Sequence, residues 1–474
     1  RLGYRLSFSN SSDWEFPYYL NAQTRGDNYK ISGSSSNSTW YQWENFVNYN
    51  QDFGKHSVGA MAGMSYRQYD SNGVNASASG SDILKAYSSN FIYLDCVNGN
   101  KDTSKSIGGV PNTTRALSYF GRLTYSYDDR YSLQANFRAD AFDSSKLSSD
   151  NRWGHFFSTS VGWTFSNEKF FKDNIDPSIM SFGKLRASWG QNGNVNVLNN
   201  YAYTAGIATN GQWYQYGTTN QVTYGSMPNG IANPNLTWEK SEQIDLGLDM
   251  RFLNNRLSIG LDWYKKTTKD LLVPAPAMPE SGVSTITINA GEVENSGLEM
   301  ELTWKDNIGD LKYSVSGNFA TLKNKATFLD PSIQRVEGAT VEGASPGAIR
   351  CYFEQGMPVW YMRGYKYAGR AEDGTAQYYA KDGSITNDPQ DDDMTNIGSG
   401  IPDVTYGITL NAEYKGFDLT IFGAGAAGND IYYGLNRTGN NNIAKGIYDD
   451  FKSKKFPDAA SVQGSATFYR SSAM

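Results

Sequence analysis

The chain has 474 residues and a formal net charge of −6, and hydrophobic residues make up 39% of it. An acidic balance argues against a nucleic-acid partner, because neutralising phosphates requires a basic surface. No run reaches the roughly 18 apolar residues that a membrane helix needs, whereas a membrane strand needs only every second residue to be apolar. The 33 Tyr, 23 Phe and 11 Trp suit either a membrane barrel or a secreted carbohydrate-binding sandwich or propeller.

Strand-like segments run along the whole chain, from Arg1–Ser9 to Phe417–Gly423, and we count about thirteen of them. The clearest alternate apolar and polar residues one by one: Tyr131–Ala139, Phe157–Phe165, Gln243–Arg251, Leu311–Phe319 and Tyr406–Tyr414. Such alternation predicts strands with one apolar and one polar face. Runs of nine to eleven residues match a tilted strand that crosses a membrane, whereas soluble strands more often stop at about five or six.

The links between these segments alternate between short and long. The short ones are Asp128–Arg130, Leu253–Asn255, Lys305–Asp310 and Tyr414–Gly416, with a slightly longer one at Gln51–Lys55. One exception of intermediate length, Ser166–Ser181, falls on the side of the short turns. The long, polar ones are Asn10–Thr39, Gln68–Ala116, Asp140–His155, Asn192–Glu239, Thr267–Asn295 and Leu322–Val404. Outer-membrane barrels show this alternation of short and long links, with short periplasmic turns and long extracellular loops. The sequence therefore predicts an all-β protein, a transmembrane antiparallel β-barrel in the outer membrane of a Gram-negative bacterium.

The ends of the chain predict that the barrel continues beyond it. The first and last counted segments both run outward, whereas bacterial barrels have an even strand number with both ends periplasmic. We therefore expect an even number of strands before Arg1 and an odd number after Met474. Tyr469–Met474 does not look like a closing strand. Residues 1–474 are interpreted as part of one barrel domain.

An ordered set of segments resembles SusC/RagA-type TonB-dependent transporters of the Bacteroidota. These segments are Tyr119–Tyr125, Tyr131–Asp140, Leu185–Gly190, Asn233–Lys240, Gln243–Asp249, Phe252–Leu257, Asp262–Lys266, Gly291–Glu299 and Ile397–Gly428. The resemblance implies a barrel of 22 strands occluded by an N-terminal plug, of which about 13 strands lie in this chain. The plug, the TonB box and the closing strands match nothing in residues 1–474.

What the resemblance implies about function is active import. A SusD-like surface lipoprotein would deliver glycans or oligopeptides, and the TonB complex would supply energy through the N-terminal region. We carry two alternatives: an outer-membrane barrel for adhesion or passive diffusion, and a secreted glycan-binding β protein. A barrel for adhesion or passive diffusion would lack a TonB box and a plug. A secreted glycan-binding protein would not be recovered with outer membranes.

Catalysis finds little support in the sequence. His56 and His155 are the only histidines, and no nucleophile motif surrounds either of them. Cys96 and Cys351 lie too far apart in sequence to suggest a disulfide framework or a four-ligand zinc site. We therefore expect no enzyme and no cofactor.

One acidic loop offers a weak calcium candidate. Asp388, Asp391, Asp392 and Asp393 supply the hard oxygen ligands that Ca²⁺ prefers, but their spacing does not fit an EF-hand. A solvated acidic loop is the alternative interpretation.

Aromatic residues in the long loops are the candidate substrate contacts: Trp213, Tyr214, Tyr216, Tyr224, Trp360 and Tyr361. Sugar rings stack on aromatic planes, so rings in a binding loop suit a glycan. Packing within the loop or against the lipoprotein is the alternative.

Charged residues on the polar faces of the strands are predicted to face the lumen or the plug. They are Arg138, Lys184, Arg186, Asp245, Asp249, Glu299, Glu301 and Lys312. The opposite face would place them in lipid, where a charge costs about 2 to 4 kcal/mol at mid-bilayer. The apolar face is expected to contact membrane lipid.

Overall fold

The computed structural model describes residues 1–19, 25–80, 104–109, 111–143, 145–216, 221–228, 230–283, 285–340, 350–432 and 468–472. Strands dominate this part of the chain. In chain order they begin with β1 (Leu2–Glu15), β2 (Tyr18–Tyr19), β3 (Arg25–Gly26), β4 (Tyr29–Phe53), β5 (His56–Gly80), β6 (Ser104–Gly108), β7 (Asn112–Tyr127), β8 (Tyr131–Phe142), β9 (Trp153–Trp163), β10 (Met180–Asn194), β11 (Ile207–Tyr216), β12 (Gln221–Pro228), β13 (Glu239–Phe252), β14 (Leu257–Pro276) and β15 (Thr285–Ile308).

The remaining strands follow as β16 (Leu311–Thr321), β17 (Lys323–Leu329), β18 (Val336–Thr340), β19 (Arg350–Phe353), β20 (Tyr361–Tyr365), β21 (Tyr367–Arg370), β22 (Ala376–Tyr379), β23 (Ile385–Thr386), β24 (Met394–Gly398), β25 (Val404–Tyr414), β26 (Phe417–Tyr432) and β27 (Phe468–Ser472). A short helix, α1, spans Lys169–Asn174, and single 3₁₀ turns lie at Phe165–Asn167, Pro279–Ser281 and Asp391–Asp393.

The largest sheet has sixteen strands. Its hydrogen-bonded path is β1-β4-β5-β7-β8-β9-β10-β13-β14-β15-β16-β25-β26-β27, with β6 paired to β5 and β17 paired to β15. The first thirteen strands of this path are the thirteen segments that the alternation predicts. The antiparallel pattern and the all-β class are thus confirmed.

Two compact units divide the chain. The first comprises Arg1–Tyr49, Ala60–Arg122 and Phe137–His155, and the second comprises Asn50–Gly59, Leu123–Asn136 and Phe156–Met474. In the first unit β1 pairs with β4 over their whole common length, from Leu2 opposite Trp43 to Glu15 opposite Lys30. The second unit carries the residues on which the functional argument rests.

The register in the second unit sorts the side chains into two faces. One row joins Trp163, Leu185, Leu248, Leu261, Met300, Phe319 and Tyr406 across seven neighbouring strands. The next row towards the long links joins Ala187, Leu246, Trp263 and Leu298. Paired residues share a face in an antiparallel sheet, so these rows make one continuous apolar face. Many of their side chains are exposed, including Leu246, Leu298 and Met300.

The short turns form with the backbone geometry that their residues allow. Asp128 and Asp129 have φ angles of 51° and 52°, and Leu253, Asn254 and Asn255 have 54° to 64°. Asp and Asn adopt the left-handed region readily, which helps these links of three and four residues to reverse the direction of the chain. These short links are therefore closed by the residues that the sequence places there.

Several predicted long links are shorter than expected, because strand pairing continues after the apolar alternation ends. Within the predicted link Thr267–Asn295, β14 runs on to Pro276 and β15 starts at Thr285. Beyond the thirteen segments counted from the sequence, a further strand, β27, pairs with β26, where Tyr432 lies opposite Phe468. Backbone hydrogen bonds, which carry no sequence signature of their own, extend all these strands.

The longest predicted link, Leu322–Val404, contains structure of its own. Strands β18, β19, β20 and β24 make a four-stranded sheet, and β21, β22 and β23 make a three-stranded sheet. A buried apolar cluster attaches the first of these to the large sheet: Val273, Ala275, Ala290, Val293, Ala326, Leu329, Ile333, Val336 and Phe353. Burial of these side chains stabilises the link against the ends of β14 and β15.

Gly297 lies where β15 changes its partner from β17 to β16. Ser296 pairs with Lys323 of β17, whereas Glu299 pairs with Ala320 of β16. The backbone carbonyl of Thr321 approaches so closely that a Cβ on Gly297 would be 1.9 Å from its oxygen. Only glycine fits there without a shift of the backbone.

Candidate functional site

The polar face of the second unit gathers the charged residues that the sequence singled out. Register pairs Lys184 with Asp249, and both Asp249 and Glu301 pair with Gly260. Arg186 pairs with Gly247 in the next row, which continues through Asp262 to Glu299. Asp245 and Lys312 belong to the same face by strand alternation. Seven of the eight predicted residues therefore share one face, opposite the apolar rows.

Arg186 is the centre of the strongest contact on this face. Its Nε and Nη2 donate to the two carboxylate oxygens of Asp249 at 2.7 and 3.0 Å, and Nη2 also donates to Asp262 at 3.1 Å. Two parallel hydrogen bonds to one carboxylate fix the orientation of the guanidinium as well as its charge. Sequence alternation places Asp262 on the polar face, but only the register shows that it reaches Arg186.

Gly247 makes room for this contact. A Cβ at Gly247 would lie 2.4 Å from Oδ1 of Asp262 and 2.7 Å from Cζ of Arg186. The guanidinium, which is bound to Asp249 of β13, therefore lies over the bare backbone of Gly247 and reaches Asp262 of β14.

Carboxylates outnumber basic groups on this part of the wall. Asp245 accepts hydrogen bonds from Ser188 at 2.9 Å and Gln243 at 2.7 Å, while Glu299 and Glu301 form no ion pair with any described residue. Lys184 and Arg186 are the cations that stand in the same rows. These rows carry five carboxylates, those of Asp245, Asp249, Asp262, Glu299 and Glu301, against two cations, so this part of the polar face is net acidic.

Arg138 belongs to the first unit, where it lies in β8. Its Nε donates to Asp140 at 2.7 and 2.8 Å, its Nη2 donates to Ser118 at 3.0 Å, and the guanidinium stands 5.7 Å from the Phe120 ring. Arg138 is therefore held by its own unit.

The two loop aromatics at positions 360 and 361 take opposite places. Trp360 is 46% exposed and has a φ of 55°, which is unusual for a bulky residue. A Cβ on Gly338 would be 2.9 Å from the Trp360 ring, so the ring lies over that glycine. Tyr361 is 1% exposed and donates its hydroxyl to Glu354. Burial, reinforced by Glu354, raises the pKa of Tyr361. These contacts favour packing as the role of Tyr361 and leave Trp360 as the ring open to a ligand.

The other candidate aromatics lie in a separate hairpin. Trp213, Tyr214 and Tyr216 belong to β11 and Tyr224 to β12, where Trp213 pairs with Tyr224. Their side chains lie outside the described part of the structure, so their substrate contact stays a prediction.

The acidic loop is organised by hydrogen bonds to its own backbone. The Asp393 carboxylate accepts N–H groups of Lys381 and Gln390, both at 2.8 Å, and Tyr365 donates to Asp391 at 3.5 Å. Asp388 and Asp392 are exposed beside them. Among the described residues no three His, Cys, Asp or Glu side chains are arranged to hold a metal ion.

Neither histidine takes part in a group of catalytic side chains. His56 is the first residue of β5, where its Nδ1 is 2.8 Å from the Tyr125 hydroxyl, and His155 stacks on Phe137 with 6.2 Å between the ring centres. Cys351 is a free thiol in β19 whose pKa is raised by burial. Cys96 lies outside the described residues.

Glu168, which sequence reasoning missed, joins the turn end of the apolar face to α1. It accepts hydrogen bonds from the Tyr131 hydroxyl, from Arg130 Nη1 at 2.8 Å and from Trp163 Nε1 at 3.2 Å. The hydrogen bond from Tyr131 and then that from Arg130 hold the pKa of Glu168 below its usual value. Nothing in the local sequence identifies these three donors, because they come from the turn before β8, from β8 and from β9.

An antiparallel sheet with one continuous exposed apolar face and one charged face defines the class of protein as a membrane β-barrel wall. In the described part of the chain, no helix is both long and apolar enough to cross a membrane. The chain belongs to the TonB-dependent receptor-like β-barrel family, whose pattern matches residues 1–348. This places it in the outer membrane, among receptors and transporters rather than enzymes.

Two curated relatives show the same family. A TonB-dependent receptor of Formosa agariphila is 30% identical over 407 residues, which are 82% of this chain and 38% of that protein. The TonB-dependent receptor SusC of Bacteroides thetaiotaomicron is 32% identical over 328 residues, 67% of this chain and 32% of SusC. The chain spans about two fifths or less of these relatives. The resemblance to SusC-type transporters is thereby confirmed.

Solved structures share the fold. The RagAB peptide transporter aligns with a TM-score of 0.74 at 24% identity, covering 91% of this chain and 45% of the other. The RagAB peptide importer in its open-open state aligns with a TM-score of 0.76 at 23% identity, covering 94% and 46%.

Proposed function

We propose that the intact protein imports glycans or oligopeptides across the outer membrane with energy from the TonB complex. Residues 1–474 would form part of the barrel wall, and a plug elsewhere in the protein would close its lumen. The observation that carries this proposal is the two-faced sheet of a chain that belongs to the TonB-dependent receptor family. A charged wall suits a hydrated lumen, and an apolar face suits lipid.

The polar face would have two tasks in such an importer. Its acidic rows around Asp245, Glu299 and Glu301 would contact the plug at rest, because charges in a low-dielectric wall need partners or water. When the plug rearranges, the same hydrated rows would line the route of the substrate. Arg138, Lys184, Arg186, Asp249 and Lys312 would act with them in this role.

The long links would receive the substrate outside the cell. Trp360 offers an exposed ring on which a sugar or an aromatic side chain can stack, and the hairpin β11–β12 adds further aromatic positions. We propose a SusD-like surface lipoprotein as the partner that delivers substrate to them. Support for that partner comes from the relative named SusC and from the fold shared with RagAB.

Uptake of labelled oligomers by whole cells tests this proposal. Three strains are compared: one with the intact gene, one with the gene deleted, and one in which the N-terminal segment that contacts TonB is removed. Import predicts that fluorescent oligosaccharides or peptides accumulate in the first strain only. Uptake that survives removal of the TonB contact would show passive diffusion instead, and cell attachment without any uptake would show adhesion.

A further inference from the structure

Five lysines lie on the apolar face just beyond its last apolar row, at the end of the sheet that carries the long links. They are Lys240, Lys265, Lys269, Lys323 and Lys325. Register leads from Ile244 to Lys265 and on through Ser296 to Lys323. In β14 the change from Trp263 to Lys265 therefore takes a single step along the same face.

Only part of this positive charge is neutralised within the protein. Lys265 pairs with Glu294 at 2.8 Å, and Lys269 pairs with Glu242 at 3.2 Å. The other three lysines, Lys240, Lys323 and Lys325, are exposed and form no ion pair with a described residue. The five lysines and these two glutamates leave a surplus of three positive charges, and a surplus remains if Glu292, at the adjoining bulge, is counted.

The position of a tryptophan indicates where the five lysines, which we call the lysine patch, lie relative to the membrane surface. Trp189 stands in the same row as Ile244 and Lys265, and its Nε1 donates to Glu242 at 2.7 Å. Trp rings are enriched where lipid tails give way to headgroups, with the apolar ring in the tails and the N–H towards water. The lysines therefore stand at headgroup height.

An apolar groove of about 1090 Å³ adjoins the patch on the side of the membrane interior. Its lining includes Leu246, Trp263 and Leu298, which form the row directly below Lys265. Hydrocarbon chains suit such a surface, since burying them there removes apolar area from contact with polar groups. One surface thus combines lysines that suit an anionic headgroup with an apolar groove that suits acyl chains.

We propose that this patch binds a phosphorylated lipid of the outer leaflet, namely the lipid part of lipopolysaccharide. Lys240, Lys323 and Lys325 contact its phosphate groups, while the groove holds its acyl chains. Long links face the cell exterior in this family of barrels, so the patch meets the outer leaflet. Basic clusters beside an apolar membrane surface attract anionic headgroups, and lysine stems extend along apolar surface to reach them.

Lipid binding by the intact protein in nanodiscs tests the site. The variant Lys240→Gln, Lys323→Gln, Lys325→Gln is compared with a charge-matched control, Lys305→Gln, Lys381→Gln, Lys415→Gln, whose lysines are exposed elsewhere. Phosphorylated lipid A, its dephosphorylated form and inorganic phosphate are the probes. Both variants must first keep the heat-modifiable gel mobility of a folded barrel.

We expect the patch variant to bind phosphorylated lipid A at least about tenfold more weakly than the control does. A second variant, Lys265→Gln, Lys269→Gln, should lose less, because those lysines already have carboxylate partners. Dephosphorylated lipid should bind the parent and the patch variant equally. The proposal is overturned if the patch variant binds phosphorylated lipid A as tightly as the control does, or if inorganic phosphate alone displaces the lipid. It is also overturned if the patch variant keeps its affinity for lipid and loses only its binding to the partner lipoprotein.

Discussion

The two faces of the large sheet are stabilised in different ways. On the apolar face, rows such as Leu185, Leu248 and Leu261 contact one another without a polar partner, and hydrogen bonds occur at the borders of the face. At the end with the short turns, Glu168 accepts hydrogen bonds from Tyr131 and Trp163. At the end with the long loops, Trp189 donates a hydrogen bond to Glu242. On the polar face, Arg186 joins three strands in the middle of the sheet.

This difference shows which solvent each face requires. Where side chains interact only through apolar contact, one apolar residue can replace another, but a charged residue cannot. Side chains joined by specific hydrogen bonds lose stability when the geometry changes, yet exposed charges among them are screened by water. The same two-residue period thus produces a lipid-facing surface and a water-facing surface from one set of strands.

The largest effect is expected from a charge in the middle of the apolar face. Leu248→Lys should destabilise the inserted barrel by about 2 to 4 kcal/mol, because the ammonium would enter the membrane interior. Ser316→Lys, on the polar face, is the matched control and should be tolerated. Denaturant titration of barrels folded in lipid vesicles measures both, and equal loss in the two variants would refute the assignment of the faces.

Gly297→Ala should come next, at about 1 to 3 kcal/mol, because its Cβ would collide with the Thr321 carbonyl oxygen on the polar face. Gly317→Ala provides the control on the apolar face, where the nearest atom would be 3.8 Å away. The same unfolding titration applies. A Gly297→Ala protein as stable as Gly317→Ala would contradict the close approach of the two strands.

Glu168→Gln should cause a smaller loss that depends on pH. The pKa of Glu168 is lowered in the folded protein, so its ionised form stabilises the fold above the unfolded-state pKa, and that contribution disappears as the pH falls through the folded-state value. The difference in melting temperature between parent and variant should therefore be largest near pH 7 and shrink towards acid pH. Asn167→Ala is the control at the same turn, and a difference that is constant with pH would argue against an ionised Glu168.

Arg186→Lys is expected to have the smallest effect on stability, about 0.5 kcal/mol or less, since the ion pair is more than one third exposed. Lysine keeps the charge but loses the two parallel hydrogen bonds to Asp249. Arg186→Met, which leaves Asp249 and Asp262 without their cation, should cost more than Arg186→Lys. A larger loss for lysine than for methionine would exclude the ion pair as the reason for Arg186.

Much of the wall could be predicted from sequence, because alternation in Gln243–Arg251 or Leu311–Phe319 assigns each residue to a face. Partners across strands could not, since Asp262 and Gly247 meet Arg186 only in one register. The small sheets within Leu322–Val404 were also missed, because their strands have two to five residues and no extended alternation. Likewise, the burial of Tyr361 depends on long-range contacts that its neighbours in sequence do not reveal.

The central claim is that alternate residues of one strand face water and lipid. It is tested most directly with Asn318→Cys and Phe319→Cys, made in the intact protein after Cys96 and Cys351 have been replaced by serine. Asn318 pairs with Glu301 on the polar face, and Phe319 pairs with Met300 on the apolar face. In isolated outer membranes, a small water-soluble thiol reagent should label Asn318→Cys faster and lower uptake when it does so. Faster labelling of Phe319→Cys, or equal labelling of both, would contradict the account.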